Sequence, residues 1–267
     1  MDRMALDLAT AGPFTELDHE LSLPADPVAI CALVRELVIQ PHEAPDQTRL
    51  AENQLRPARD LVRTLLTLDP GPLTAGRPPE HRVIGTCRHF AVLACALLRY
   101  QGIAARARCG FATYFQPDRG LDHWIVEYHA GTRWIRLDPE TLGGTVVANA
   151  HDLTPDQFRT GGEAWQAHRC GQIDAAHYGV YGTENFGPAE ISGNAVRDLA
   201  CLNKVETLPW DEWGQMTAAY AGTTDSEYDT LIDRVAAVCA TDDPAAIADL
   251  YTHPDLRVPD TLIRSSH

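Results

Sequence analysis

A thiol, an imidazole and a carboxylate follow one another in this chain in the order that covalent acyl transfer can use. Cys87 lies in Gly85-Thr-Cys-Arg-His-Phe-Ala-Val-Leu-Ala-Cys-Ala-Leu-Leu-Arg-Tyr-Gln-Gly102, where a turn residue and a cap residue lead straight into an apolar helix. That pattern predicts Cys87 in the helix's first turn. There the positive end of the helix dipole favours a thiolate, and a backbone N–H faces the place where an oxyanion would form. His123 lies in Asp122-His-Trp-Ile-Val-Glu-Tyr128, and Asp138 closes Arg133-Trp-Ile-Arg-Leu-Asp138, each at the end of a strand-like run. The three supply a nucleophile, a base and a group to orient the base. Order alone is a modest signal, because many chains carry a Cys, a His and an Asp in this sequence.

The elements around them must be a helix and then paired strands. Ala104 to Phe115 and His123 to His129 read as strands separated by the turn Gln116-Pro-Asp-Arg-Gly120. Ala130-Gly131-Thr132 suits a tight turn before a further strand, Trp134 to Leu137. Upstream, Val28, Ile30, Leu33, Val34, Leu37 and Val38 recur at helical spacing over 26–40, with Pro41 ending the run. A second helix is expected over 46–67, with Leu50, Leu55, Leu61, Leu65 and Leu66 on one broad face. A Pro/Gly-rich loop, too poor in apolar residues for the core, is expected from Asp69 to about Val83. Later helices should begin at Thr154-Pro155 and at Asp243-Pro244, where a cap precedes a proline.

Composition bounds the partners. The 267 residues are 45% hydrophobic and 22% charged, enough for a large core, and the net charge is −15 with no basic block along the chain. Nucleic acid and anionic membranes are therefore not expected partners. No apolar run has the length of a membrane span, and the start lacks a signal peptide's pattern, so a cytoplasmic location is expected. The seven cysteines show no C-x-x-C spacing, as in a reducing compartment; Cys31, Cys95 and Cys239 read as core residues. Nothing in the sequence sets an oligomeric state.

Gly85-Thr-Cys87-Arg-His-Phe90, Leu97-Leu98-Arg99, Gly102-Ile103-Ala-Ala-Arg106, Asp122-His123-Trp124 and Trp134-Ile-Arg-Leu-Asp138-Pro139 together resemble the core motifs of the transglutaminase-like superfamily, in order and spacing. The resemblance covers residues 83–140. It implies an α+β, papain-like fold in which the nucleophile's helix packs on an antiparallel sheet that bears the base and the carboxylate. It also implies Cys87 as nucleophile, His123 as base and Asp138 as orienter. Ala104 stands where the family usually has proline, a difference expected to touch strand entry more than chemistry. The family spans cross-linkers, peptidases, amidases, amide-forming enzymes and members without catalysis.

The expected organisation is an N-terminal helical segment (1–82), the catalytic core (83–140) and a mainly helical C-terminal region (141–267) that completes the cleft. A second oxyanion donor should exist; Asn53 and Gln54 are candidates that otherwise read as solvated helix surface, Trp124 is a further oxyanion or substrate candidate, and Trp165, Trp210 and Trp213 read as core anchors or else as a wall over Cys87 that contacts substrate. Arg197, Asn203 and Lys204 are available for polar recognition. His89 reads as a partly exposed helix residue, and Cys109 as a strand residue near the site. Cys87, His89, Cys109, His123, His151 and Asp152 lack the spacing of a metal site, so neither metal nor cofactor is expected. The expected substrate is a peptide, amide or thioester, with amide or peptide hydrolysis leading. Amine-accepting cross-linking or amide synthesis, and a catalytically silent peptide-binding module, are the alternatives.

Overall fold

In the computed structural model, which describes residues 8–264, the chain divides into two units. One holds the residues up to Ala107 together with Trp124–Leu153; the other holds Arg108–His123 together with the residues from Thr154 onward. Both units hold helices and strands, and the longer strands pair antiparallel, which makes the protein α+β.

In the first unit, Asp26 caps helix α1 (Pro27–Arg35) by accepting from the Ala29 N–H at 2.8 Å, with proline at the first helical position. Such a cap contributes about 1 kcal/mol. The apolar period runs on past Arg35, but α1 stops there. Val38 and Ile39, both β-branched, form strand β1 (Val38–Ile39), which pairs in parallel with β2 (Val83–Ile84). The single helix expected over 46–67 is two elements, a 3₁₀ segment Gln47–Gln54 and helix α2 (Ala58–Leu68). Pro57 separates them, since it has no N–H to continue a helix and holds the residue before it extended. The loop after α2 is less peripheral than its composition suggests. Leu73 and Arg77 are buried there, and Arg77 donates to the carbonyls of Leu65 and Gly71.

Helix α3 (Cys87–Tyr100) is buried along its whole length except at Tyr100. Burial of its arginines requires partners, and Arg99 donates to the Ala105 carbonyl at 3.0 Å and to Thr15 Oγ1 at 2.8 Å. Strand β3 (Ala105–Ala112) follows, then β4 (Gly120–His129) and β5 (Trp134–Leu137), and both β3 and β4 pass from one unit into the other. β4 and β5 pair antiparallel through the turn expected at Ala130-Gly131-Thr132. Their register sets Glu127 opposite Arg136. The buried Glu127 carboxylate accepts from Arg136 Nε at 3.1 Å and from Arg106 Nε of β3 at 2.6 Å, and the Arg106 guanidinium stacks 4.1 Å from the Trp134 ring centre. Removing one partner of such a set costs about 3–5 kcal/mol by stranding the others, so the set fixes the alignment of three strands.

In the second unit β3 pairs antiparallel with β6 (Phe158–Thr160), and the start of β4 pairs in parallel with β7 (Tyr178–Gly179). Helix α4 (Gly161–Arg169) begins seven residues beyond the expected Thr154 start. Residues 154–157 form a turn, and Thr160 with Glu163 makes the capping box that starts the helix. Helix α5 (Pro188–Leu202) is buried from Glu190 to its end, and α4 and α7 (Ser226–Cys239) pack on it. Arg108 of β3 pairs with Asp198 of α5 through two bonds of 2.8 and 2.7 Å, tying helix to strand. α6 (Met216–Tyr220), α8 (Pro244–Leu250, capped by Asp243 as expected) and α9 (Asp260–Arg264) complete the described chain.

α4 and α5 approach so closely that a Cβ on Gly161 would lie 2.3 Å from the Ala195 nitrogen. Because backbone cannot move aside as a side-chain tip can, Gly161→Ala should lower the free energy of unfolding by about 1–3 kcal/mol, read from urea denaturation. An unchanged midpoint would show that these helices can separate without penalty.

Candidate active site

The turn before Cys87 is fastened on every side within the first unit. The Gly85 N–H donates to the Ile39 carbonyl at 2.9 Å, and the Ile84 N–H donates to the Glu52 carboxylate at 2.9 Å. Glu52 is itself held by Arg49 at 2.7 and 2.8 Å, and Arg49 also donates to the carbonyls of Glu80 and Arg82. Cys87 is the first residue of α3 and is 8% exposed.

His89, expected to be partly exposed, is fully buried. Its Nδ1 accepts from the Thr86 N–H at 3.0 Å and its Nε2 donates to the Leu55 carbonyl at 3.1 Å, a pair of bonds that only the neutral ring with its proton on Nε2 can make. Burial, reinforced by the neighbouring Arg88 charge, pushes its pKa down to about 3. Gly85 makes room for it, since a Cβ there would sit 2.5 Å from His89 Cβ. The Thr86-x-x-His89 spacing resembles a capping box with histidine in the acid's place, and that was the signal available in the sequence.

The Leu55 bond also fixes the segment carrying Asn53 and Gln54. Asn53 Oδ1 is buried with no partner among the described residues, whereas Gln54 is exposed. Asp138, at the end of β5, is fully buried. Thr141 Oγ1 donates to its Oδ2 at 2.7 Å and the Glu140 N–H to its Oδ1 at 2.9 Å, so a local turn fixes the carboxylate. Trp124 is fully buried, and its indole N–H has no acceptor among the described residues.

In the second unit His123 is 3% exposed, and the rings of Tyr114 and Phe115 stand edge-on to it, with centroids 6.1 and 5.0 Å away. Side chains alternate along a strand, which sends Asp122 and Trp124 to the face of β4 opposite His123. Asp122 accepts from Asn194 Nδ2 of α5 at 2.8 Å. Asn194 Oδ1 accepts from Arg197 at 3.2 Å, Arg197 lies 3.7 Å from the Glu190 carboxylate, and Tyr220 donates to Glu190 at 2.9 Å. Burial raises the pKa of Asp122, and burial with the Asp122 charge raises Glu190 to about 7.

Several expected recognition residues lie elsewhere in role. Arg197 is 2% exposed and spent on this network, so it is not available to a ligand. Asn203 donates to the Leu199 carbonyl of its own helix, and Lys204 follows in a left-handed conformation. Trp165 and Trp213 are core anchors whose indole N–H groups donate to Asp233 at 2.7 Å and to the Leu256 carbonyl at 3.0 Å; Trp210 is exposed. Cys109 is buried in β3 and burial raises its thiol pKa, which suits packing. Asp152 is taken by Arg133. A cleft of about 580 Å³ near His168, Asp174 and Phe186 contains none of the expected site residues.

Residues 52–139 match the Transglutaminase-like superfamily. The matched segment contains Cys87, His123 and Asp138. The chain is also similar in structure to a "Putative Cysteine Protease from Cytophaga hutchinsonii", at 19% identity and a TM-score of 0.35, over 53% of this chain and 44% of that one. The chain thus aligns with less than half of that protein's length. No curated protein matches. Among the described residues no helix is long and apolar enough to cross a membrane.

Two buried groups give stability opposite dependences on pH. His89 is neutral in the fold and takes a proton when unfolded, so its contribution is complete above about pH 6.5 and is lost as pH falls toward 3. Glu190 keeps its proton in the fold to about pH 7, so its contribution is complete below 4.5 and is lost as pH rises through 7. The difference in unfolding free energy between the parent and His89→Gln should therefore shrink on acidification from 6.5 to 4.5, by up to about 1.4 kcal/mol per pH unit. Urea titrations across that range measure it, and a flat difference would mean that His89 is charged in the fold.

Proposed function

We propose that this protein is an acyl-transfer enzyme working through a thioester on Cys87, with hydrolysis of an amide or peptide bond as its leading reaction. The observation that carries the reading is the transglutaminase-like match, in which a cysteine opens a buried helix and is followed by the strand residues His123 and Asp138. The Cys87 sulfur attacks the carbonyl carbon, favoured as thiolate by the helix N-terminus, and the oxyanion is held by the Cys87 N–H. His123 gives the proton to the leaving group, then takes one from the water or amine that resolves the thioester. Asp138 holds the imidazole in one tautomer, and its bonds to Thr141 and the Glu140 N–H support that role by fixing the carboxylate.

Asn53 is the better candidate for the second oxyanion donor. Its side chain carries an amide N–H₂ that can donate, and its segment is bolted to the nucleophile's turn through Leu55, Glu52 and Arg49. Trp124 has an orphan N–H, but strand alternation turns it away from the base's face. Asn53→Ala should lower kcat by about 100- to 1,000-fold while leaving Cys87 open to alkylation.

Intact-mass analysis after incubation with amides, thioesters and peptides tests the whole reading. The parent should gain an acyl mass that Cys87→Ala never gains, and His123→Ala should slow alkylation of Cys87. Asp138→Asn should fold and turn over about 100- to 10,000-fold more slowly. Turnover by Cys87→Ala within about tenfold of the parent would end the proposal.

A further inference from the structure

The loop between β3 and β4, residues 113–119, is pinned at both ends and holds two aromatic rings against the ring of His123. At one end the Thr113 N–H donates to the Gln157 carbonyl at 3.0 Å and Thr113 Oγ1 to the Asp156 carbonyl at 2.8 Å. At the other the Arg119 guanidinium lies 5.1 Å from the Phe186 ring centre. Between these anchors Tyr114 and Phe115 stack with centroids 4.8 Å apart and an interplanar angle of 50°. Each presents an edge-to-face contact to His123, at 84° and 71°. His123 is almost wholly enclosed, yet both rings are only half-buried.

Two adjacent aromatic rings that stay half-exposed, on a loop too well anchored to fold them inward, offer apolar surface at a fixed place. An aromatic ring buries about 150–250 Å² when fully covered, so leaving part of two of them in water forgoes a favourable term that a ligand can recover. The chemistry of the base identifies the ligand part. A general acid gives its proton to the leaving atom, so what lies beside the imidazole on the substrate is the substituent of that atom.

We infer that Tyr114 and Phe115 form the subsite for the leaving-group substituent and select one that is apolar, with an aromatic ring preferred. The inference rests on the reading of His123 as the base that serves Cys87. Its chemistry is that of the proposed reaction. With a thioester, Cys87 Sγ forms a bond to the acyl carbon, the bond from that carbon to the leaving sulfur breaks with its electron pair going to that sulfur, and the proton from the Cys87 thiol passes through His123 to the departing thiolate. Water then splits the new thioester, releasing the acid and restoring the thiol.

The acetyl thioesters of benzyl mercaptan and of methanethiol share one acyl group and differ only in the substituent concerned. The full-length parent should favour the benzyl ester over the methyl ester in kcat/KM, and Phe115→Ala or Tyr114→Ala should cut that ratio by about tenfold. Phe115→Leu keeps apolar bulk and should cut it less, which guards against a misfolded alanine variant. The inference is overturned if the parent does not use the benzyl ester better, or if the variants slow both esters alike so that the ratio stays put, since the rings then only shelter the imidazole. Failure of the underlying reading looks different, because alkylation of Cys87 by iodoacetamide would then be indifferent to His123→Ala.

Discussion

The turn that leads into Cys87 depends on one uncharged imidazole. A helix start carries backbone N–H groups with no partner in the helix, and a buried one must find an acceptor elsewhere. Here His89 accepts the Thr86 N–H through one ring nitrogen and, through the other, reaches the Leu55 carbonyl on a segment 34 residues upstream. A carboxylate at the same position could accept from Thr86 but could not donate to Leu55. The ring therefore does two jobs that the usual acidic residue of a capping box cannot, and it does them only while neutral. Its burial and the neighbouring Arg88 keep it so.

The same requirement for partners shapes the rest of the buried charge. Glu127 takes two arginines from flanking strands, and Asp198 takes both arms of Arg108 together with the Cys109 N–H at 3.1 Å. In both sets the buried carboxylate has guanidinium partners on a neighbouring element, and the sets fix register and helix position. The group around Arg197 is different, because one guanidinium serves both Asp122, through Asn194, and Glu190. Burial raises the pKa of both acids, with the Asp122 charge adding to the rise at Glu190, and the one guanidinium they share does not offset it.

Legibility in the sequence followed how local each cause was. Strand β5 and its turn, the Asp243 cap and the position of Cys87 all depend on a few adjacent residues, and they are where the pattern puts them. The transglutaminase-like match was readable from the same local motifs. What the pattern missed depends on partners far along the chain. Val38 and Ile39 continue a helical period but have strand partners at Val83 and Ile84. Arg197 looks available for recognition until Glu190 and Asn194 are seen around it, and the Asp233 partner that ties Trp165 into the core lies 68 residues away. His89 reads as a helix-surface residue because its acceptor, Leu55, cannot be identified from spacing.

Tyr114 and Phe115 escaped the sequence for a related reason. They lie in a stretch that reads as the tail of a strand, where alternation would put one ring in the core and the other in solvent. β3 ends at Ala112 instead: the Thr113 N–H makes one more bond in the β6 register, to the Gln157 carbonyl, and the chain bends away beyond it. With the ladder broken, both rings can turn to the same side, and the T-shaped contacts to His123 hold them there. Two rings give the His123 imidazole an apolar flank where a loop of polar side chains would have surrounded it with water.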